Sequence, residues 1–189
     1  MPPWGRGGRL NMTITEFLER NARLYRDETA LVEINPSEER DRAVTWREFS
    51  LIERSRPDEP YSREMTWGHF DTKANRVANR QLSRGVKRGT KVGILLMNCL
   101  EWLPIYFGIL KAGCLAVPLN FRYSSDEIAY CLDLADVEAL VFGPEFIDRL
   151  EPILSQLDRV RLWFYVGNKV PDFAESYREL VMYCSFENP

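Results

Sequence analysis

The stretch KVGILLM, from Lys91 to Met97, decides the fold because it is a nearly continuous apolar run with the length of one strand. Such runs are typical of parallel strands that are covered on both faces, so helices are expected on either side of the sheet. The preceding sequence supplies one of them, a predicted helix from Thr66 to Arg84 that ends at Gly85. Its apolar stripe consists of Phe70, Ala74, Val77, Ala78 and Leu82.

The sequence after Met97 alternates between helices and strands. Helices are predicted over residues 100–112, 126–134 and 144–157, and strands over residues 114–119, 138–143 and 161–166. Gly113 should end the first of these helices, and Ser124 or Ser125 should cap the second. This alternating order builds a largely parallel sheet flanked by helices, with right-handed crossovers. The predicted fold class is therefore α/β.

The beginning of the chain predicts one further helix and one further strand. Residues 1–12 are interpreted as a disordered tail, because they lack the apolar stretch of a signal peptide. The following TITE, from Thr13, has the form of a capping box. The helix that it opens has its apolar positions at Ile14, Phe17, Leu18 and Leu24. Residues 29–34 (TALVEI) are predicted as a strand, residues 35–64 as a surface excursion and residues 167–189 as irregular structure.

Composition excludes several classes of partner. The formal net charge is -3 and the basic residues are spread along the chain, so nucleic acid is not an expected partner. Glu101 and Lys111 interrupt the most apolar region, so no membrane span is expected and this region is interpreted as buried core. Four scattered cysteines and a single histidine favour neither a zinc site nor disulfides. Reduced thiols in the cytoplasm are the expectation.

Few reactive groups follow the predicted strands, which is where ligands bind in α/β proteins. The turn Asn98-Cys99-Leu100 has no glycine to admit a phosphate, and the sequence contains no GxSxG, HExxH or GxGxxG. His69 has a pKa suited to a general base, but its place on the polar side of its helix favours a solvated residue. Cys99 near a helix start could be an activated thiol, although an apolar turn explains it equally well.

Trp102, Tyr106 and Phe107 form an aromatic patch on one predicted helix. They could line a pocket, but aromatics at this spacing more often pack in the core against a sheet. Neither reading yields a catalytic, cofactor-binding or metal-binding residue. No site residue is therefore assigned from the sequence.

Two stretches carry a family resemblance. The first, MTWGHFDTKANRVANRQLSRGVKRGTKVGILLMN, resembles a core motif of the adenylate-forming superfamily, in which a Thr-Tyr-x-Glu-Leu phrase opens a helix that ends in Gly-Val. It departs from that pattern at His69 (usually an acid), Gln81 (usually apolar) and Thr90 (usually Asp). The second, GILKAGCLAVPLNFRYSSDEIAYCLDLADVEALVF, is similar to the Leu-Lys-Ala-Gly and Pro-Leu-Asn phrases of the same superfamily. Within the superfamily, the phrase NCLEWLPIYFGILKAGCLAVPLNFRY most resembles bacterial fatty-acid or related acyl-CoA ligases.

The resemblance implies that residues 13–189 are the N-terminal portion of the large domain of an acyl-CoA synthetase. Such enzymes use Mg-ATP to convert a carboxylic acid, here a fatty acid, into an acyl-adenylate and pyrophosphate, and the thiol of CoA then displaces AMP. The phosphate-binding loop of the family is expected beyond Pro189, so Mg-ATP and CoA are expected in the longer parent and no cofactor in this segment. The segment alone is expected to be inactive, and sheet edges left uncovered could make it self-associate.

Two alternatives remain open at this point. The chain could be a non-catalytic α/β interaction module that kept the scaffold. It could also come from another adenylate-forming enzyme that activates an aryl acid or an amino acid.

Overall fold

The computed structural model describes residues 12–34 and 62–189, apart from the side chain of Leu180. Most of the tail predicted at 1–12 and most of the excursion predicted at 35–64 therefore lie outside the described residues. The α-helices within the described ranges are Ile14–Leu24 (α1), Trp67–Ser83 (α2), Trp102–Lys111 (α3), Ser125–Leu134 (α4), Ile147–Leu150 (α5) and Tyr177–Met182 (α6). The strands are Thr29–Ile34 (β1), Ser62–Thr66 (β2), Lys91–Leu95 (β3), Leu115–Pro118 (β4), Val137–Phe142 (β5), Leu162–Tyr165 (β6) and Glu175–Ser176 (β7).

Five strands form a parallel sheet in the order β4-β3-β5-β6-β7, which confirms the predicted α/β class. The apolar run at Lys91–Leu95 lies inside this sheet, paired with β4 on one side and β5 on the other. Val92, Ile94 and Leu95 are almost completely buried. The covering of both faces that the sequence predicted is therefore confirmed.

Helices cover the two faces of the sheet with separate hydrophobic clusters. On one face, Val92 and Ile94 pack with residues of α2, α3 and α6. On the other face, Leu95 packs with residues of α4 and of the segment after β5. The chain thus leaves β3 through a helix on the first face and leaves β5 through helices on the second, so its winding direction reverses between these two neighbouring strands.

The ends of the helices follow the capping chemistry predicted from the sequence. Thr13 and Ser124 each form a capping box with the glutamate three residues later, and Thr66 accepts the backbone N–H of His69 at 3.3 Å. Gly85 after α2 and Gly113 after α3 have φ values of 79° and 72°. A residue with a Cβ rarely adopts this left-handed conformation, which is why glycine ends both helices.

The first part of the chain packs against α2. Strands β1 and β2 pair in antiparallel fashion, with Ile34 opposite Ser62. Residues 62–64 therefore belong to a strand, which corrects the C-terminal limit predicted for the surface excursion. In α1, Leu18 is buried with Phe70, but the other predicted stripe residues are exposed: Ile14, Phe17 and Leu24. The described part of the chain covers only a narrow strip of α1.

Two other predictions need correction. The predicted helix at 144–157 is instead a 3-10 turn, the four-residue α5 and a second 3-10 segment, Glu151–Gln156. Pro152 has no backbone N–H to donate, so a continuous α-helix is not favoured there. Residues 167–189, predicted as irregular, contain β7 and α6. Ser176 caps α6 by accepting the backbone N–H of Glu179 at 3.3 Å, and this S-x-x-E pattern was the available signal.

The last residues of the chain lie along α2 as a strap, defined here as residues 185–188. The Asn75 amide donates to the backbone carbonyl of Phe186 at 2.9 Å. One turn later, the Asn79 amide donates to the carbonyls of Ser185 at 3.0 Å and Glu187 at 2.8 Å. Residues four apart lie on the same face of a helix, so these two amides hold the strap at successive points.

Candidate functional site

The carboxyl ends of β3, β5 and β6 lie at the same edge of the parallel sheet. In open α/β sheets, ligands bind beyond this edge, next to the position where the winding direction reverses. Here that position is between β3 and β5. The segments that follow these strands are therefore where a ligand site is expected.

A cavity of about 720 Å³ opens at this edge, beside the end of β6. Its volume falls within the range of small-molecule pockets, about 300–1,000 Å³. Its apolar lining residues are Val166, Val181 and Met182. The charged side chains that line the cavity are Arg63 from β2, Lys73 and Arg76 from α2, Glu101 from the turn before α3, and Arg178 from α6.

Four cations and one carboxylate make this cavity electropositive. Among the described residues, none of the four cations forms a salt bridge. The buried Nε of Arg76 also has no hydrogen-bond partner. Buried donors in proteins are normally paired, because an unmade hydrogen bond costs about 1–3 kcal/mol.

A second cavity, of about 580 Å³, lies at the opposite edge of the sheet. It is also lined by basic residues, but two of its arginines are paired: Arg84 with Glu175 and Arg161 with Glu138. The other two cations of the second cavity, Lys87 and Arg88, form no salt bridge among the described residues. The two cavities therefore differ in the pairing of their cations: two of four are paired in the second cavity and none of four in the first.

Tyr177 lies in the wall of the first cavity. Its residue is 9% exposed, and its hydroxyl is buried without a hydrogen-bond partner. Burial raises the pKa of the Tyr177 phenol strongly, with smaller electrostatic contributions from the nearby side chains of Glu101 and Cys99. The phenol therefore stays protonated and can act as a hydrogen-bond donor.

His69 and Cys99, the two residues considered as reactive groups from the sequence, have different surroundings. His69 is exposed in the first turn of α2, and its pKa is lowered by desolvation and then by the charges of Lys73 and Arg76. Cys99 is a half-buried free thiol in the turn after β3, close enough to Tyr177 to influence the pKa of its phenol. All four cysteines of the chain are free.

The aromatic patch of α3 packs in the core. Trp102 and Tyr106 stack with their ring centroids 5.6 Å apart and contact the cluster under α2 and α3. Phe107 meets Phe70 of α2 edge-on at 5.2 Å. These contacts favour core packing over a pocket lining.

The first cavity, called the cationic cavity from here on, was not predicted from the sequence, because its lining residues come from distant segments. Lys73 and Arg76 are three residues apart on α2, and this spacing places them on one helix face. No periodic signal joins them to Arg63 or Arg178.

Among the described residues, no group of three or more His, Cys, Asp or Glu side chains could hold a metal ion. Nor does any described helix have the length and apolarity to cross a bilayer.

The sequence matches the family model described as AMP-binding enzyme over residues 18–180. One curated relative is the medium/long-chain-fatty-acid–CoA/3-oxocholest-4-en-26-oate–CoA ligase of Mycolicibacterium smegmatis, 32% identical over 124 residues. That alignment covers 66% of this chain and 22% of the relative. Long-chain fatty acid transport protein 6 of Mus musculus is 30% identical over 124 residues, which cover 65% of this chain and 20% of that relative. The chain thus spans about a fifth of the length of the curated relatives it matches.

Solved structures of similar fold include anthranilate CoA ligase AuaEII in complex with anthranoyl-AMP. It superposes with a TM-score of 0.74 at 25% identity, over 92% of this chain and 28% of that one. The N-terminal domain of FACL13 from Mycobacterium tuberculosis superposes with a TM-score of 0.69 at 21% identity, over 93% of this chain and 37% of that one. At that identity the second likeness shows the fold alone.

Proposed function

Because the chain belongs to the AMP-binding enzyme family, we propose that it is the N-terminal portion of an ATP-dependent acyl-CoA synthetase that activates a fatty acid. The observation that carries this proposal is the match over residues 18–180 together with the parallel sheet. The named activity of the Mycolicibacterium smegmatis relative supports a fatty-acid substrate. The parent would be an acid–thiol ligase of the cytoplasm, with Mg-ATP and CoA as its other substrates.

The described residues of this chain do not fit Mg-ATP by themselves. The turn after β3, Asn98-Cys99-Leu100, has no glycine that would let the backbone approach a phosphate. We therefore propose that the chain contributes the scaffold of the large domain, and that it catalyses no adenylation alone.

The test compares this chain with a longer protein that continues through the downstream coding sequence. We expect the longer protein to form acyl-CoA from a fatty acid, with release of AMP and pyrophosphate. We expect the 189-residue chain to give no ATP–pyrophosphate exchange with the same acids. Exchange by the short chain would refute its inactivity, and a longer protein without ligase activity would favour an interaction module.

An aryl-acid ligase is the second candidate, favoured by the likeness to anthranilate CoA ligase AuaEII. Anthranilate and a medium-chain fatty acid, offered in competition to the longer protein, distinguish the two candidates. Preferential formation of anthraniloyl-CoA would overturn the fatty-acid assignment and leave the ligase assignment intact.

We also propose that this chain self-associates, because β4 and β7 are the edge strands of the described sheet. Unpaired backbone groups on edge strands are templates for pairing with another chain. Sedimentation should show a concentration-dependent increase in mass. A single monomeric species across a wide concentration range would exclude self-association.

A further inference from the structure

We propose that the cationic cavity beside the end of β6 binds a small organic phosphate, with Arg76, Arg178 and Tyr177 as donors to its phosphate oxygens. The cavity has a net excess of three positive charges among its lining residues, from four cations and one carboxylate. A phosphomonoester carries about -1.5 to -2 charge at neutral pH, and a carboxylate carries about -1. The phosphomonoester therefore neutralises more of the cavity's excess positive charge than a carboxylate does.

The type of cation also favours a phosphate. Three of the four cations are arginines: Arg63, Arg76 and Arg178. Their planar guanidinium groups donate two parallel hydrogen bonds to an oxyanion, which is why arginine is common in phosphate sites. Three apolar side chains that also line the cavity, Val166, Val181 and Met182, supply a contact surface for an organic part. Inorganic phosphate would make no use of these apolar contacts.

Two residues that line the cavity carry a buried donor that has no hydrogen-bond partner among the described residues. The Tyr177 hydroxyl and the Arg76 Nε are both without a hydrogen-bond partner, and both residues line the cavity. A protein tolerates such groups at a cost in stability when they serve a function. A phosphate oxygen is an acceptor for both.

Binding to this chain does not depend on the ligase activity proposed for its parent. The site is formed by residues of the described segments alone, so it is tested on the 189-residue chain without any turnover assay. Failure of one proposal therefore leaves the other standing.

The probe is phenyl phosphate, with benzoate as a carboxylate of similar shape and inorganic phosphate as the anion without an organic part. Isothermal titration calorimetry at low salt should show phenyl phosphate binding about tenfold more tightly than either control. Benzoate binding as tightly as phenyl phosphate would overturn the proposal. So would the absence of any phenyl phosphate binding.

Three variants localise the binding. Arg76→Gln and Arg178→Gln should each weaken phenyl phosphate binding by about tenfold, the value expected for loss of one charge-assisted hydrogen bond. Arg88→Gln, in the cavity at the opposite edge of the sheet, is the matched control and should leave the affinity unchanged. Equal loss in all three variants would indicate nonspecific charge attraction and would overturn the assignment.

Tyr177→Phe separates a binding role from a structural one. The substitution removes a buried hydroxyl that has no partner in the described structure, so the unliganded variant should melt at the same temperature or higher. Its affinity for phenyl phosphate should nevertheless fall several-fold. A variant that melts higher and binds phenyl phosphate as well as before would exclude Tyr177 as a donor to the ligand.

Discussion

The ammonium group of Lys111 lies 3.0 Å from the carboxylate of Asp71, and only 2% of the lysine side chain is exposed. A second carboxylate, that of Glu19, lies 2.9 Å from the same ammonium group. Lys111 also donates to the side-chain oxygen of Asn188 at 3.0 Å. One buried cation at the end of α3 therefore connects α1, α2 and the strap.

Replacing Lys111 by methionine should lower the free energy of unfolding by about 3 kcal/mol. The volume is nearly conserved, but two carboxylates lose their cation, and breaking a buried pair on one side typically costs about 3–5 kcal/mol. Urea unfolding measures the change. Arg159→Met is the control, because its pair with Asp136 is largely exposed and should contribute less than about 1 kcal/mol. Equal effects of the two substitutions would show that burial of Lys111 has no energetic role.

Replacing Asn79 by alanine should loosen the strap while the core stays intact. The variant loses the two amide hydrogen bonds to the carbonyls of Ser185 and Glu187, each contributing about 1 kcal/mol. Faster amide hydrogen exchange is expected in residues 185–188 and not in β3. Asn98→Ala, at an exposed turn, is the control. Unchanged exchange in the strap would show that the amides do not hold it.

Replacing Gln81 by leucine should raise the free energy of unfolding by about 1 kcal/mol. Gln81 is 2% exposed among apolar side chains, and its Oε1 has no hydrogen-bond partner. A leucine of similar size removes that unsatisfied acceptor. The neighbouring Leu82 is 41% exposed, so Leu82→Gln is the control and should change stability by less than about 0.5 kcal/mol. A destabilised Gln81→Leu variant would mean that the amide is satisfied in solution.

The pKa of His69 should lie below its ordinary value of 6.5, because desolvation and the charges of Lys73 and Arg76 disfavour the imidazolium ion. The folded state then binds fewer protons than the unfolded state just below pH 6.5, so stability should fall as the pH decreases through that window. His69→Gln should remove this component. Since the chain has a single histidine, one NMR titration curve measures the pKa.

Lys73→Gln should raise the His69 pKa, whereas Arg20→Gln on α1 should not. Binding of phenyl phosphate in the cationic cavity should also raise it, because the dianion offsets the charges of Lys73 and Arg76. A His69 pKa at or above 6.5 in the free chain would contradict the described surroundings of the imidazole.

The sequence predicted the elements that carry a strong local signal. The apolar run at Lys91–Leu95, the capping boxes of α1 and α4 and the glycine stops after α2 and α3 each depend on a few neighbouring residues. The same local logic failed at Gln81 and Leu82. Both positions fit the stripe of α2, and only the packing of β5, β6 and α6 decides which one is buried.

The cationic cavity could not be predicted for the same reason. Arg63 in β2 and Arg178 in α6 come from distant segments of the sequence and meet only in the folded chain. The sequence showed that Lys111 interrupts an apolar region, but its burial in ion pairs was not predicted from that interruption. A charge that interrupts an apolar run is either exposed or paired in the interior, and here it is paired.

The pairing of Ile34 with Ser62 places the two ends of the intervening stretch side by side, on a two-stranded sheet that shares no strand with the parallel one. Replacement of residues 35–61 by a two-residue Asn-Gly turn would therefore keep the register of β1 against β2 and leave the position of β3 unchanged. The same junction is suited to grafting, because a peptide tag inserted there would interrupt no strand of the parallel sheet. Variation in the length of this connection among homologous proteins is accordingly expected to be large, since entropy penalises longer loops only weakly.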